Sequence, residues 1–322
     1  MNKMTIAAVI PAYKAQRTIE RVIRTIPEFI SIIVVVEDSS PDHTREIVEG
    51  LAQENGRIRL LHHESNRGVG AAVFSGYEYA SKYVDIIVKL DSDGQMDPQY
   101  ISSLIQPILD DKADYTKGNR FLHVRELSAM PIMRRIGNLG LSFMTKVASG
   151  YWNIFDPTNG FTALRTSILP FLDRSRIDNR YFFESSLLIE LGVQRAVVRD
   201  VYIPARYVNE ESSLSIIDTL LRFPIKIASG FLRRVTIQYF IRDFSSFSLL
   251  LLWGLIFIAF GLFWSGYHWW LSIQTQIAAT TGTVMIGVLP IILGVQFLLQ
   301  SLVLDIQNMP DQPISSNKTT NN

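Results

Sequence analysis

From Phe244 to Leu304 the chain carries no Lys, Arg, Asp or Glu, and His268 is the one side chain there that can take a charge. No surface element of a water-soluble domain needs such a stretch. A bilayer core of ~30 Å, by contrast, needs about 20 apolar residues in helical form. Two apolar runs meet that length, Phe244 to Phe263 and Ala278 to Leu304. Between them lies the aromatic cluster Trp264-Ser265-Gly266-Tyr267-His268-Trp269-Trp270, of the kind found at membrane–water interfaces. The expectation is a two-helix transmembrane hairpin over 244–304, which makes this an integral membrane protein.

The flanks set an orientation. Arg222, Lys226, Arg233, Arg234 and Arg242 precede the first run, and the connection between the runs has no Lys or Arg. Positive residues stay on the cytoplasmic side, so both termini and the large N-terminal part are expected there. Upstream, Thr5 to Ile10 is too short for the apolar region of a signal peptide and reads as a buried strand. The net charge of +1 gives no case for nucleic acid, and the lack of cysteine excludes disulfides and thiolate metal sites. Beyond Asn308 the Pro, Gln, Ser, Asn and Thr composition predicts a disordered tail.

The first two hundred residues alternate between strand and helix patterns. Apolar, β-branched runs at 5–10, 31–36, 58–62 and 85–90 are separated by helical stretches near 16–26, 42–54 and 68–82. That alternation predicts an α/β fold, a mainly parallel sheet with helices on both faces. Ligands of such sheets bind beyond the carboxyl ends of the strands. Those ends are polar here: Pro11-Ala12-Tyr13, then Glu37-Asp38-Ser39-Ser40-Pro41-Asp42, then Asp91-Ser92-Asp93. Asp42 reads as a helix cap or first-turn residue. His62-His63 closes a short strand and reads as exposed. Glu184, in Phe182-Phe183-Glu184-Ser185, either stabilises a helix N-terminus or faces the crevice.

Asp91 and Asp93 are two apart at a strand end, where like charges repel. A hard divalent cation, Mg2+ or Mn2+, relieves that repulsion and brings substrate phosphates with it. Asn66-Arg67-Gly68-Val69-Gly70-Ala71-Ala72 opens a helix, and backbone N–H groups there, with Arg67, suit a phosphate.

With Val9-Ile10-Pro11-Ala12-Tyr13 and Val35-Val36-Glu37-Asp38, these motifs resemble the family 2 glycosyltransferases, which have the GT-A type of Rossmann-like fold. The resemblance covers roughly residues 4 to 215. It extends to the dolichol-phosphate mannose synthases and, more closely, to bacterial polyprenyl-phosphate glucosyltransferases, which implies a bacterial plasma membrane. It implies an inverting, metal-dependent transfer of a hexose, glucose from UDP-glucose, to polyprenyl phosphate. Pro11, Tyr13, Asp38, Arg67, Gly68 and Asp91 would hold the nucleotide sugar. Asp91, Asp93 and Gln95 would hold the metal. Asp156, in Phe155-Asp156-Pro157-Thr158-Asn159-Gly160-Phe161, matches the family's acceptor-side aspartate, and Arg206 matches a phosphate-contacting arginine. Asp156, Asp93 and Arg206 form the implied catalytic set, with Arg206, Arg120 and Ser213 at the acceptor phosphate. The chain departs from the family at Lys14-Ala15, where Asn-Glu is common, and at Ser212-Ser213, where the mannose branch has Ser-Lys.

The acceptor phosphate is largely dianionic at neutral pH, since its second pKa is about 6, and hardly needs a general base. Asp156 then orients the acceptor, helps bind metal or takes a residual proton. Two amphipathic stretches lead from site to bilayer. Ser128 to Tyr151 sets Met130, Met133, Ile136, Leu141, Met144 and Val147 against Arg134, Arg135 and Lys146. Ser215 to Ile241 sets Leu220, Ile227, Phe231 and Val235 against Arg222, Lys226, Arg233 and Arg234. Such helices lie in the headgroup plane. The expected organisation is a catalytic domain over 1–214, juxtamembrane helices over 215–243, the hairpin over 244–304 and a tail over 305–322, with self-association through the spans. Competing readings are a mannose synthase using GDP-mannose and an inactive nucleotide-sugar-binding scaffold. A processive polysaccharide synthase is disfavoured, because no Arg-Trp pair occurs.

Overall fold

The computed structural model describes residues 4–120, 132–204 and 216–314. It divides into two compact units, one of Met1–Arg234 with Pro310–Asn322 and one of Val235–Met309.

The first unit is built on a seven-stranded sheet in the order β3-β2-β1-β4-β6-β5-β7. The strands are β1 (Ile6–Ala12), β2 (Ile32–Glu37), β3 (Ile58–His62), β4 (Ile86–Lys89), β5 (Tyr115–Asn119), β6 (Thr162–Arg165) and β7 (Val198–Tyr202). Every residue of β1 is buried, as a central strand covered on both faces must be. Alternate residues divide between two cores. Ala8, Ile10, Ile33 and Val35 pack with α1 (Ile19–Arg24), α2 (Thr44–Glu54) and α4 (Ile101–Leu109) through Ile19, Val22, Val48 and Leu104. Ala7, Val9, Val34 and Val36 pack with α3 (Val69–Ala80) and a later helix over Phe183–Gln194, through Ala72, Val73, Tyr77 and Leu187. The sheet is therefore sandwiched between helices.

The four strands read from the sequence are present within one or two residues of their expected bounds, and they pair in parallel. The structure adds β5, β6 and β7. Their apolar pattern is broken because Lys117, Thr162 and Asp200 point into the molecule, so a hydropathy criterion passes over them. β6 runs antiparallel to both neighbours. It therefore enters the sheet at the edge where β4 and β5 end, and brings the preceding loop to that edge. β1 is flanked by β2 on one side and β4 on the other, so the chain changes direction across the sheet between β1 and β4. The carboxyl ends at such a point open a crevice.

Beyond β5 come α5 (Ile132–Ser149), α6 (Phe183–Gln194) and α7 (Ile216–Thr236), followed by a π-helical turn over Ile237–Ile241. α5 and α7 fall within the two amphipathic stretches. Their outer sides expose Leu139, Phe143, Ile225 and Leu232, while Ile227 is buried with Ala148, Phe182 and Ile189. Met130 lies outside the described residues, as do the side chains of Met133, Arg134, Arg135, Ile136, Leu220 and Arg222.

The second unit is a helical hairpin of α8 (Ser246–Thr275) and α9 (Thr281–Gln307). Both helices are long and apolar enough to cross a membrane. α8 continues through Trp264–Trp270, so the aromatic cluster is helical and the connection between the helices lies beyond it. Thirty residues of helix span about 45 Å, which exceeds an apolar core of ~30 Å. Glycines let the two backbones approach. A Cβ on Gly261 would lie 2.7 Å from the Gly287 carbonyl, and one on Gly294 would lie 2.8 Å from that of Gly254. At the open end the buried Asp305 accepts a hydrogen bond from Tyr239 Oη at 2.7 Å, and Tyr239 stacks on Phe247.

The expected disorder from 305 is corrected over the described part of the tail. α9 runs to Gln307, and the Ile314 N–H donates to Asp114 Oδ2 at 3.0 Å while its side chain packs on the α3–α6 core. An apolar side chain with a buried partner overrides the polar composition around it.

Candidate active site

The donor motifs converge at the ends of β1, β2 and β4. Pro11 is buried in β1 and pairs with Val36, and Tyr13 follows it with its ring exposed. Asp38, after β2, is almost fully buried. Its Oδ1 accepts from the Arg67 N–H at 2.9 Å and its Oδ2 from the Gly68 N–H at 2.8 Å. His63 Nδ1 lies 2.7 Å from the same Oδ1, and His63 Nε2 lies 3.0 Å from Ser75 Oγ. Asp38 thus holds the loop that opens α3, while the Arg67 side chain stays exposed. His63 is buried in this arrangement, which corrects its reading as exposed: a carboxylate and a hydroxyl satisfy both ring nitrogens. Gly68 has φ +94°, and a Cβ there would lie 2.4 Å from the Asn179 carbonyl, so only glycine fits.

Asp42 is structural. Its Oδ1 accepts from Thr44 Oγ1 at 2.6 Å in front of α2, and its Oδ2 from the Gln16 N–H.

Asp91 and Asp93 follow β4 directly. Asp93 Oδ1 accepts from the Gln95 N–H at 2.9 Å, so the backbone of Gln95 serves Asp93. Asp91 Oδ1 is 2.6 Å from Lys89 Nζ, and Lys89 also reaches Glu184 Oε1 at 3.3 Å. Glu184 stands in the first turn of α6, the first of its two readings, and from there reaches the buried Lys89. Burial alone would lower the Lys89 ammonium; the Asp91 and Glu184 carboxylates outweigh it and hold it above the ordinary lysine value. Gly160 lies over this pair. A Cβ there would come within 2.3 Å of Lys89 Nζ and 2.7 Å of Asp91 Oδ2.

Among the described residues no three His, Cys, Asp or Glu side chains are grouped to hold a metal unaided. Two adjacent carboxylates with hard oxygen donors nevertheless fit Mg2+ or Mn2+, which are commonly held by one or two protein carboxylates with substrate phosphates completing the shell.

The acceptor-side residues meet at the ends of β5 and β6. Asp156 is buried, and Arg120 grips it with Nε to Oδ2 at 2.7 Å and Nη2 to Oδ1 at 3.2 Å. Arg206 and Ser213 lie outside the described residues.

Sheet register explains a set of charges that the sequence motifs did not reveal. Lys89 pairs with Thr162, Thr162 with Lys117, and Lys117 with Asp200. Paired residues point to the same face, so these four form one row across the sheet, under α6 and its Glu184. Lys117 is buried and its ammonium donates to the Asn159 carbonyl. Burial pushes its pKa down to about 8, against the opposing pull of Glu184 and Asp156. Burial pushes the Asp200 carboxyl up to about 6, against its hydrogen bond from the Phe155 N–H and the Lys117 charge. Each of these short strands contributes one polar residue to the row, a signal that shows only once the strands are aligned.

The family profile described as "Glycosyl transferase family 2" matches residues 7–171, from β1 past β6. The chain belongs to this glycosyltransferase family. It is similar to the UDP-N-acetylglucosamine–dolichyl-phosphate N-acetylglucosaminyltransferase of Methanococcus voltae, at 32% identity over 63% of this chain and 88% of that one. It is also similar to the undecaprenyl-phosphate mannosyltransferase of Micrococcus luteus, at 26% identity over 65% of this chain and 85% of the other. Among solved structures, glucosyl-3-phosphoglycerate synthase from Mycobacterium tuberculosis, in complex with Mn2+, UDP and glucosyl-3-phosphoglycerate, superposes with a TM-score of 0.54. That match has 21% identity over 72% of this chain and 80% of that one, and it shows a shared fold. This glycosyltransferase is therefore an enzyme of the α/β, Rossmann-like class, with two C-terminal helices of membrane-spanning length.

Proposed function

We propose that this glycosyltransferase moves a hexose from a UDP-sugar to a polyprenyl monophosphate, with inversion, on the cytoplasmic face of a membrane. The observation that carries the reading is the meeting at one sheet edge of a two-carboxylate turn, Asp91 and Asp93, with an arginine–carboxylate pair, Arg120 and Asp156. The first suits a diphosphate with a divalent cation, the second a phosphate acceptor. A lipid acceptor is supported by the acceptors named for the relatives and by the apolar hairpin.

In this mechanism the exposed side chains of Tyr13 and Arg67 face the nucleotide end of the donor, while the N–H groups of Arg67 and Gly68 are taken up by Asp38. Asp91 and Asp93 would hold Mg2+ or Mn2+, which would supply positive charge to the leaving nucleoside diphosphate. Lys89 and Glu184 fix the Asp91 carboxylate. An oxygen of the acceptor phosphate attacks the anomeric carbon as the bond from that carbon to the diphosphate breaks. The acceptor arrives already dianionic, so Asp156 orients it and need not remove a proton. Asp156 alone would repel it, and Arg120 offsets that charge. The exposed apolar residues of α5 and α7 suit the headgroup layer, where a lipid phosphate lies.

Two donors compete. UDP-glucose follows from the resemblance in the motifs, and UDP-N-acetylglucosamine follows from the Methanococcus voltae relative. Purified enzyme in lipid nanodiscs, given undecaprenyl phosphate and Mn2+, should form a lipid-linked sugar from one of these. Product only from GDP-mannose would overturn the donor assignment, and no product from any nucleotide sugar would overturn the lipid-phosphate reading.

A further inference from the structure

Asp200 of β7 belongs to none of the donor or acceptor motifs, yet it touches both segments that carry the acceptor pair. Its Oδ2 accepts from the Phe155 N–H at 2.9 Å and from Asn119 Nδ2 at 2.9 Å. Phe155 immediately precedes Asp156, and Asn119 immediately precedes Arg120. These segments are distant in sequence and come from different strands' ends, so no local turn fixes their spacing. One carboxylate oxygen bonds both next to the pair itself, while farther along the loop Asn159 Nδ2 donates to the Gly118 carbonyl at 2.7 Å. The other oxygen, Oδ1, is buried and has no hydrogen-bond partner among the described residues. Around this tether Ser142 Oγ donates to the Phe155 carbonyl at 3.1 Å, and Lys146 Nζ lies 4.1 Å from the centre of the Phe155 ring. On the other side Lys117, the register partner of Asp200, holds the Asn159 carbonyl.

We propose that Asp200 is the positioning residue of the acceptor half of the site: through Oδ2 it sets the separation and aim of Arg120 and Asp156. This rests on the reading of that pair as the phosphate-acceptor site. What Asp200 contributes is an acceptor oxygen in a fixed place, not a charge. An asparagine keeps that oxygen, and an alanine removes it. Misplacing a catalytic pair by about 1 Å can cost on the order of 10²-fold in rate.

The test compares D200A, D200N and N119A with the parent enzyme in nanodiscs. Three quantities are read: the Kd for UDP with Mn2+, the KM and kcat for undecaprenyl phosphate, and amide exchange at Phe155. The expected result for D200A is a fall of about 30-fold or more in kcat/KM for the lipid, with UDP affinity within twofold of the parent. D200N should recover most of that loss, and N119A should show a smaller loss of the same kind. The Phe155 N–H should exchange faster in D200A and at the parental rate in D200N. Equal losses in D200A and D200N would mean that charge matters instead, and would overturn the proposal. A D200A that weakened UDP binding as much as lipid turnover would reveal only a general structural role. If the parent enzyme itself transferred nothing to undecaprenyl phosphate, the functional reading would fail, while exchange at Phe155 would still decide whether Asp200 holds the loop.

Discussion

The proposed donor half and the proposed acceptor half of the crevice are built in opposite ways. In the donor half each functional carboxylate is fixed by its own neighbourhood in the chain or by one adjoining loop. Asp93 takes the Gln95 N–H, and Asp38 takes the N–H groups of Arg67 and Gly68. The acceptor half has no such local rule. Arg120 meets Asp156 only because β5 and the antiparallel β6 are neighbours in the sheet, and both are held by Asp200 from a third strand. A half made of short motifs keeps its geometry when distant parts change. A half made of long-range bonds depends on the sheet's register.

The sharpest test of this contrast is D91A. It should lower turnover by about 10³-fold, the scale of losing one preorganised electrostatic contact at the reacting centre, and weaken Mn2+-dependent UDP binding with it. Full activity in D91A, measured with radiolabelled donor, would remove the metal assignment. Next, D156A should cost about 10²-fold in turnover while UDP binding stays at the parental level. If D156A lost UDP affinity too, the two halves would not be separable.

G160A joins the halves, since its new Cβ would press on both Lys89 Nζ and Asp91 Oδ2. We expect a fall of roughly 10-fold in turnover, with weaker metal affinity, although Gly160 lies in the acceptor loop. The smallest effect is on stability. Burial pushes the Asp200 carboxyl up to about 6 from the ordinary aspartate value of 3.8, so the fold favours the protonated acid. Stability from this group is present below about pH 4 and is lost as pH rises toward 6. D200N cannot ionise. Its unfolding free energy should therefore gain on that of the parent between pH 4 and 6 and run parallel above, by at most about 3 kcal/mol, read from melting curves at each pH. A constant difference across that range would show that Asp200 does not titrate there.

The same contrast explains what the sequence revealed. The strands β1 to β4 are legible because their residues are apolar on both faces, and the motifs at their ends are short and contiguous. Asp91, Asp93 and the loop at Arg67 and Gly68 could be found in this way. The hairpin was legible from the absence of charge alone, although its aromatic cluster proved helical. Lys89, Lys117, Asp200 and His63 were not legible as a group. Each is a buried polar residue whose meaning depends on a partner far away in sequence, and burial of charge is what a hydropathy pattern excludes. Tyr115 to Asn119 looks like a loop until Lys117 is seen beneath α6 with its ammonium on the Asn159 carbonyl.

The bond from Ile314 to Asp114 has a consequence in time as well as in space. Asp114 also accepts the Val197 N–H, where β7 joins the sheet beside β5. Ribosomes make the chain from its N-terminus, and domains generally fold as their segments emerge. The sheet of the catalytic unit can thus form early, but the contact made by Ile314 must wait until both apolar helices have been synthesised. Maturation of this enzyme then has a built-in order: both helices of the hairpin are made first, and the bond that Ile314 gives to Asp114 closes afterwards.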